Sequence, residues 1–182
     1  MNKKIRWMTE TAVLLALLVS LQAITKPLGQ LVTGSAVNSV LALSVLLCGL
    51  GSGIAIALIS PVLAFLLGIA PQILTVPAIA LGNGIYVALL WLLIGKTGGG
   101  VLSRISGWIL AAFAKFVTLY LVVAKLICGI WSESLLSAGV LKQPMLQALP
   151  ATFSWPQLFT ALIGGGIALA IVPVLRKALH KL

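Results

Sequence analysis

The sequence contains very few acidic residues and very few groups of the kind that carry out catalysis. Glu10 and Glu133 are its only carboxylate side chains, against 12 Lys and Arg, and charged residues make up 8% of the chain. The single histidine, His180, lies near the C-terminus. Acid–base, nucleophilic and metal-assisted catalysis need clusters of such groups. We therefore expect that the chain is not an enzyme and carries no catalytic residue, metal site or cofactor of its own.

Cysteines and nucleotide-binding motifs are also scarce. Cys48 and Cys128 fit neither a disulfide framework nor a metal-ligand spacing. The topology derived below places them at opposite membrane faces, so we expect two free thiols. The sequence has no GxxxxGK[ST] phosphate loop, so we expect that this chain does not hydrolyse ATP by itself.

Apolar residues dominate the sequence instead. They make up 61% of the chain, whereas an ordinary soluble domain carries about 25% charged residues. Apolar runs of roughly 20 residues, long enough to cross about 30 Å of hydrocarbon, fill nearly the whole length. The basic residues form short clusters between these runs, which is typical of membrane proteins rather than of a nucleic-acid interface. We predict an all-α integral membrane protein with a single domain over residues 1–182, embedded in the lipid bilayer, with no nucleic-acid partner.

Breaks in the apolar pattern divide the chain into six predicted transmembrane helices. The predicted breaks are Lys26-Pro27, the glycine-rich turn 49–53, Pro71-Gln72, the loop 96–100 and a long connection over 131–154. The predicted helices cover about residues 9–25, 36–50, 53–70, 73–94, 104–130 and 155–175.

The distribution of basic residues predicts the orientation of these helices. An even number of spans puts both termini on one side. Eight basic residues fall on that side and two, Lys26 and Lys142, on the other; the eight are Lys3, Lys4, Arg6, Lys96, Arg104, Arg176, Lys177 and Lys181. Because cytoplasmic loops carry the excess of Lys and Arg, we predict cytoplasmic termini. Residues 25–36, 70–73 and 128–154 then lie outside the cell.

Two lysines lie inside the predicted fifth helix. At 100° per residue, Lys115, Thr118 and Lys125 fall within an arc of about 80°. Lys115 is close to the midplane, where a charge costs several kcal/mol unless it is paired or hydrated. The stripe fits the wall of a polar cavity for an anionic or amide-rich ligand. Alternatively, Lys115 pairs with carbonyl groups and Lys125 extends outward to the interface.

Other polar residues lie near these lysines or near the predicted outer helix ends. Asn83 stands between two glycines, and a buried amide can bind a ligand or join two helices. Gln22, Gln30, Asn38 and Gln72 lie near the outer ends. The predicted substrate-binding residues, which outline a site open to the outside, are Gln30, Asn38, Gln72, Asn83, Tyr86, Lys125 and Trp131.

Small residues form a stripe on the predicted first helix. Ala12, Ala16, Ser20 and Ala23 fall within about 80° of one another. Small faces allow close helix packing in lipid, either within the chain or with a partner membrane protein. We predict Ala12, Ala16 and Ser20 as partner-docking residues. The glycines and alanines of the sixth helix are predicted to pack internally.

Over essentially its full length the chain resembles the substrate-binding S components of energy-coupling factor (ECF) vitamin transporters. The resemblance rests on six helices, cytoplasmic termini, the AxxxA pattern at Ala12–Ala16 and the segment 26–35, which is similar to the loop that gates the site in this family. It implies capture of a vitamin from outside and delivery by toppling in the cell membrane. It also implies an ECF scaffold protein and two ATPase subunits as partners, with ATP hydrolysed by the latter.

The substrate is left open by the sequence. The overall pattern resembles most the members that take cobalamin or related corrinoids, and pantothenate, folate or a pyrimidine precursor are alternatives. Two further alternatives belong to other classes. If the chain is a non-transport assembly subunit, we expect no small-molecule pocket. If it is a self-sufficient permease, we expect a path across the whole membrane.

Overall fold

The computed structural model describes residues 2–69, 72–97 and 100–179, and these residues form helices and turns without a β-strand. The helices are α1 (Lys3–Thr25), α2 (Gln30–Cys48), α3 (Leu50–Leu66), α4 (Thr75–Leu90), α5 (Val101–Leu119), α6 (Ser132–Ser137), α7 (Met145–Thr152) and α8 (Trp155–Leu179). A 3₁₀ turn, Lys26–Leu28, follows α1. Two π-helical segments extend α4 and α5, over Trp91–Gly95 and Tyr120–Ile130 respectively. The prediction of an all-α fold is confirmed.

Most of these helices are long and apolar enough to cross a membrane. Within the described residues, five helical segments meet that criterion: Lys3–Leu28, Gln30–Cys48, Thr75–Gly95, Val101–Ile130 and Met145–Ala178. The apolar α3 is shorter, at 17 residues, which is the lower end of the range that spans a bilayer. The chain is therefore a multi-pass membrane protein. Six spans and the side on which the termini lie stay predictions.

The start of α2 corrects one prediction from the sequence. Residues 26–35 were expected to form a long gating loop, but α2 begins at Gln30 and only Lys26 to Gly29 connect it to α1. Gly29 has φ +88°, and this left-handed conformation separates the two helices. Beyond it the Ser35 hydroxyl donates to the Leu31 carbonyl at 2.6 Å. The polar residues of this segment are thus accommodated within a helix.

Other boundaries also differ from the predicted ones. The first helix begins at Lys3 rather than at residue 9, and α3 begins at Leu50, directly after a single left-handed Gly49. The predicted connection 131–154 contains the short helices α6 and α7. Parts of the predicted turns at Pro71-Gln72 and 96–100, the predicted end of the third helix at residue 70, and His180 and Lys181 lie outside the described residues.

The central element of the bundle is α2. In the most apolar 18-residue stretch of α2, 61% of the residues are buried. In the corresponding stretch of the Lys3–Leu28 segment, which contains α1, 6% are buried. Glycines of α8 permit the closest approach to α2 and α5. A Cβ at Gly164 would lie 2.6 Å from the Asn38 Cβ, and one at Gly165 would lie 2.4 Å from the Trp108 ring. The predicted internal role of the α8 glycines is confirmed.

A second apolar cluster closes one end of the bundle. Leu119 and Val123 of the α5 segment pack with Leu141, Leu149 and Phe153 from the connection that follows it. These side chains are nearly fully buried. The connection between α5 and α8 therefore folds as an apolar cap, and it brings Phe153 to the cavity described below.

Candidate functional site

A buried lysine joins three helices at the centre of the bundle. The Lys115 side chain of α5 is 3% exposed. Its Nζ donates to the Asn38 Oδ1 of α2 at 2.5 Å and to the Asn83 Oδ1 of α4 at 2.6 Å. Asn38 in turn donates through Nδ2 to the Thr160 Oγ1 of α8 at 3.2 Å. Four helices thus meet in one polar network.

Small residues beside the two asparagines allow the network to form. A Cβ at Gly82 would lie 2.8 Å from the Leu119 Cγ of α5. Because glycine has none, α4 and α5 approach closely and Asn83 reaches Lys115. Gly164 has the same effect between α8 and α2 beside Asn38. The sequence therefore builds the site by placing glycines next to, or opposite, its amide side chains.

Tyr86 forms the floor of this network. The Lys115 Nζ lies 5.4 Å from the centroid of the Tyr86 ring, a cation–π distance. The Tyr86 hydroxyl donates to the Ala161 carbonyl at 3.1 Å, and its side chain is fully buried. Tyr86 therefore both contacts the lysine and fixes α4 against α8.

No carboxylate neutralises Lys115. The two acidic residues of the chain lie elsewhere: Glu10 accepts from the Arg6 Nε at 2.8 Å in α1, and Glu133 is exposed in α6. The amide oxygens of Asn38 and Asn83 carry only partial charges. A buried charge is ordinarily paired with an opposite charge. Among the described residues, the site therefore offers Lys115 two hydrogen-bond acceptors and no counter-charge.

Lys115 and Asn83 line a cavity at the end of the bundle where α1 joins α2 and α7 joins α8. Its volume is about 160 Å³. The polar lining includes Gln22, Lys26, Gln30, Thr33, Asn83, Lys115 and Gln157. Its apolar wall includes Val37, Pro61, Ile79 and Phe153. The cavity thus leads from the helix connections to the lysine network.

Two polar atoms in the cavity lining have no hydrogen-bond partner among the described residues. They are the Gln22 Oε1 and the Thr33 Oγ1, and both atoms are buried. A second lysine, Lys26, donates through Nζ to the Gly68 carbonyl at 2.5 Å and so ties the α1–α2 connection to the end of α3. Because buried polar atoms are nearly always hydrogen-bonded, the unpartnered pair gives this cavity the character of a binding site.

The structure brings four of the predicted substrate-binding residues together. Gln30 and Asn83 line the cavity. Asn38 and Tyr86 contact Lys115. Gln72, Lys125 and Trp131 are not among its lining residues. Their part in binding stays a prediction, without support from the cavity geometry.

The predicted polar stripe on α5 does not continue to Lys125. Lys115 is buried, whereas Lys125 is exposed with its Nζ 5.6 Å from the Tyr120 ring centroid. The stripe assumed α-helical geometry, but the helix is π-helical from Tyr120 onward. Hydrogen bonds from residue i to i+5 change the number of residues per turn. The prediction of a single stripe is therefore wrong.

Sequence reasoning did not single out Gln157, Thr33 or Lys26 as binding residues, although the family resemblance implied that the segment containing Lys26 and Thr33 lies at the site. Gln157 precedes Gly164 by seven residues, so both lie on one face of α8. That face packs against α2. A polar residue on a packed face was therefore the signal in the sequence that could have identified Gln157. Thr33 and Lys26 were assigned to a loop, and their convergence depends on how α1 and α2 join.

A second cavity lies at the opposite end of the bundle. Its volume is about 430 Å³, and it is lined by apolar side chains together with Arg104 and Arg176. Arg176 donates through Nη2 to the Leu46 carbonyl at 2.8 Å. The two cavities share no lining residue. Buried side chains, among them Leu41 and Leu90, occupy the bundle core.

The small residues of α1 point away from the bundle. Ala12, Ala16 and Ser20 are exposed, whereas Leu18 is fully buried. Contact with the other helices therefore uses a different face of α1. The stripe is available to a neighbour in the membrane.

The fold and the cavity define a multi-pass membrane protein with a polar cavity at one end of its helical bundle. The family described as ECF transporter, substrate-specific component, matches residues 6–176, and the chain belongs to this family. No curated protein and no solved structure matched the chain. The chain is thus a transport subunit of the cell membrane rather than an enzyme, and its family implies ECF scaffold and ATPase modules as partners.

Proposed function

We propose that this chain captures a small water-soluble vitamin from outside the cell in the Lys115 cavity. It then delivers the vitamin by toppling in the membrane while a scaffold protein and two ATPase subunits supply the energy. The observation that carries the proposal is the buried Lys115–Asn38–Asn83 network at the base of a cavity with unpartnered polar atoms. Family membership supports the same function.

The shape of the cavity favours a binding subunit over a self-sufficient permease. A permease needs a path that reaches both membrane faces. Here the fully buried Tyr86 contacts Lys115 on the side away from the lining residues of the cavity's mouth, and the cavity at the other end of the bundle shares none of those lining residues. A site closed on one side needs an internal rearrangement or a movement of the subunit to release its ligand on the other side, and toppling is such a movement.

The buried lysine argues against a purely structural assembly subunit. Apolar residues of similar volume pack at least as stably as buried ionic groups in many proteins. Helix association in lipid is readily achieved with small residues alone, as between α2 and α8. A lysine without a carboxylate partner is therefore better explained by a ligand than by packing.

Charge supports an orientation with the Lys115 cavity outside. Arg104 and Arg176 line the opposite end, where the predicted cytoplasmic basic clusters also lie. The positive-inside rule then places the termini in the cytoplasm.

The exposed stripe of Ala12, Ala16 and Ser20 on α1 serves as the docking surface for the scaffold, because close helix contact needs small side chains.

Cavity size narrows the range of vitamins. Pockets for drug-sized ligands measure about 300–1,000 Å³, whereas this cavity measures about 160 Å³. A corrinoid such as cobalamin is much larger than a drug-sized ligand, and folate is also large for this space. We therefore rank pantothenate or a pyrimidine precursor ahead of the cobalamin that the sequence pattern first indicated.

A thermal-shift screen of the detergent-purified chain against water-soluble vitamins tests the proposal. A ligand present at about 1,000 times its Kd stabilises the folded state by about 4 kcal/mol. A clear shift with one vitamin would establish a binding subunit and name its substrate. If no vitamin shifts a sample whose fold has been verified, the assembly-subunit alternative takes precedence.

A further inference from the structure

We infer that the ligand of this cavity carries a carboxylate, which forms an ion pair with Lys115. This inference rests on the proposed function and names the chemical class of its substrate. It is drawn from the charges, donors and acceptors that line the cavity.

The charges of the cavity have one sign. Lys26 lies near the helix connections and Lys115 at the base, and none of the described lining residues is acidic. Glu10 forms an ion pair with Arg6, and Glu133 is exposed on α6. None of the described residues therefore supplies a counter-charge for Lys115. A negatively charged ligand supplies it, and a neutral one does not.

The hydrogen-bond geometry of Lys115 leaves one donor for that ligand. A lysine ammonium group has three N–H donors. Two of them reach the Asn38 Oδ1 and the Asn83 Oδ1. Asn38 is held in this orientation because its Nδ2 donates to Thr160. The two amides thus aim the ammonium group, and its third donor is available to a carboxylate oxygen in the cavity.

Two further groups specify what accompanies the carboxylate. The unpartnered Gln22 Oε1 is a hydrogen-bond acceptor, so its partner on the ligand is an N–H or O–H donor. The Thr33 hydroxyl can donate or accept a hydrogen bond. Val37, Pro61 and Phe153 offer an apolar wall between these groups. The chemistry fits a small hydroxy- or amido-carboxylic acid, with a short apolar part between its acid and its second polar group.

Matched pairs of acid and neutral compound test this inference on the purified full chain. Suitable pairs are pantothenate with panthenol, nicotinate with nicotinamide, and biotin with biotinamide. We expect stabilisation by at least one acid and at least tenfold weaker binding of its neutral partner, because hydrogen bonds to charged groups contribute that much. Equal binding of an acid and its neutral partner would overturn the inference.

Variants then assign the preference to Lys115. In Lys115→Met we expect at least tenfold weaker acid binding and nearly equal affinities for the acid and its neutral partner. Lys115→Arg should retain the preference for the acid. Lys177→Met, the same change at an exposed lysine of α8 that does not line the cavity, should leave both affinities unchanged. If Lys115→Met keeps the full preference for the acid, the ion pair does not exist.

The outcomes also separate this inference from the proposed function. Tight binding of a neutral vitamin would leave the binding-subunit function intact and remove the carboxylate inference. Failure of every acid and every neutral compound to bind the folded wild-type protein would contradict both. Because the ligand pairs need only the wild-type chain, the test does not depend on the folding of any variant.

Discussion

Lys115 and Asn83 meet across the α4–α5 interface, where the Lys115 Nζ donates to the Asn83 Oδ1 at 2.6 Å. Both side chains are buried, and both line the same cavity. The contact depends on Gly82, which has no Cβ to press on Leu119. The close packing of α4 against α5 therefore also places two polar side chains in the wall of the proposed binding cavity.

Replacing Asn83 with Asp should inactivate the site without unfolding the protein. The new carboxylate would lie where the Asn83 Oδ1 now accepts from Lys115, so an internal ion pair would replace the one offered to a ligand. We expect thermal stability at or above that of the wild type, with affinity for an acidic ligand reduced at least about tenfold. Thermal-shift and equilibrium binding assays measure both effects. Unchanged acid binding by a folded Asn83→Asp variant would contradict the role given to this pair.

Gly82 and Gly84 form a matched pair for testing the helix approach. A Cβ at Gly82 would lie 2.8 Å from the Leu119 Cγ, whereas one at Gly84 would meet nothing within 4 Å. Gly82→Ala should destabilise the fold by about 1–3 kcal/mol through overpacking and should weaken ligand binding. Gly84→Ala should be neutral or slightly stabilising because alanine favours helix more than glycine does. Thermal unfolding in detergent compares the two, and similar effects at both positions would count against a close α4–α5 contact.

A bulky residue on the outer face of α1 should uncouple the chain from its scaffold. Ala12→Leu or Ala16→Leu fills the exposed small stripe, which should abolish co-purification with the scaffold and ATPase subunits. Ligand binding by the isolated chain should persist because neither residue lines the cavity. Val62→Leu, at an exposed position of α3, is the control. Loss of ligand binding in the alanine variants would show instead that this face supports the fold.

Thiol labelling tests the orientation in the membrane. Cys48 lies at the end of α2 and Cys128 near the end of the π-helical extension of α5, and both are free and partly exposed. A membrane-impermeant thiol reagent added outside intact cells should label Cys128 in preference to Cys48. Single-cysteine variants, with the remaining cysteine changed to serine, assign the signal. Preferential labelling of Cys48 would invert the proposed topology.

Much of the candidate site was visible in the sequence because membrane burial makes polar residues conspicuous. Asn38, Asn83 and Lys115 stand in apolar runs, and a polar group there needs a partner or a function. Gly82 beside Asn83 marked a place of close helix approach. Local reasoning therefore predicted Asn38 and Asn83 as binding residues and left open whether Lys115 lines a cavity or pairs with carbonyl groups.

Other site residues were not predictable from local pattern. Lys125 was predicted to share a helix face with Lys115 because α5 was treated as a regular α-helix. The π-helical geometry from Tyr120 onward removes that alignment. Gln22 was noted in the sequence near an outer helix end, but Thr33 and Gln157 become its neighbours only through the packing of α1, α2 and α8. Their convergence depends on distances between helices, which the order of residues does not state.

The sequence by itself determined that this chain is a multi-helical membrane protein, because hydropathy is a property of composition. It also determined which polar residues require an explanation. The tertiary structure decided which of them share a cavity, since Lys115 is aimed by Asn38 and Asn83 from two other helices. It also decided that Ala12 and Ala16 face outward. Side-chain direction is set by helix packing, and packing is a relation among segments that are distant in the chain.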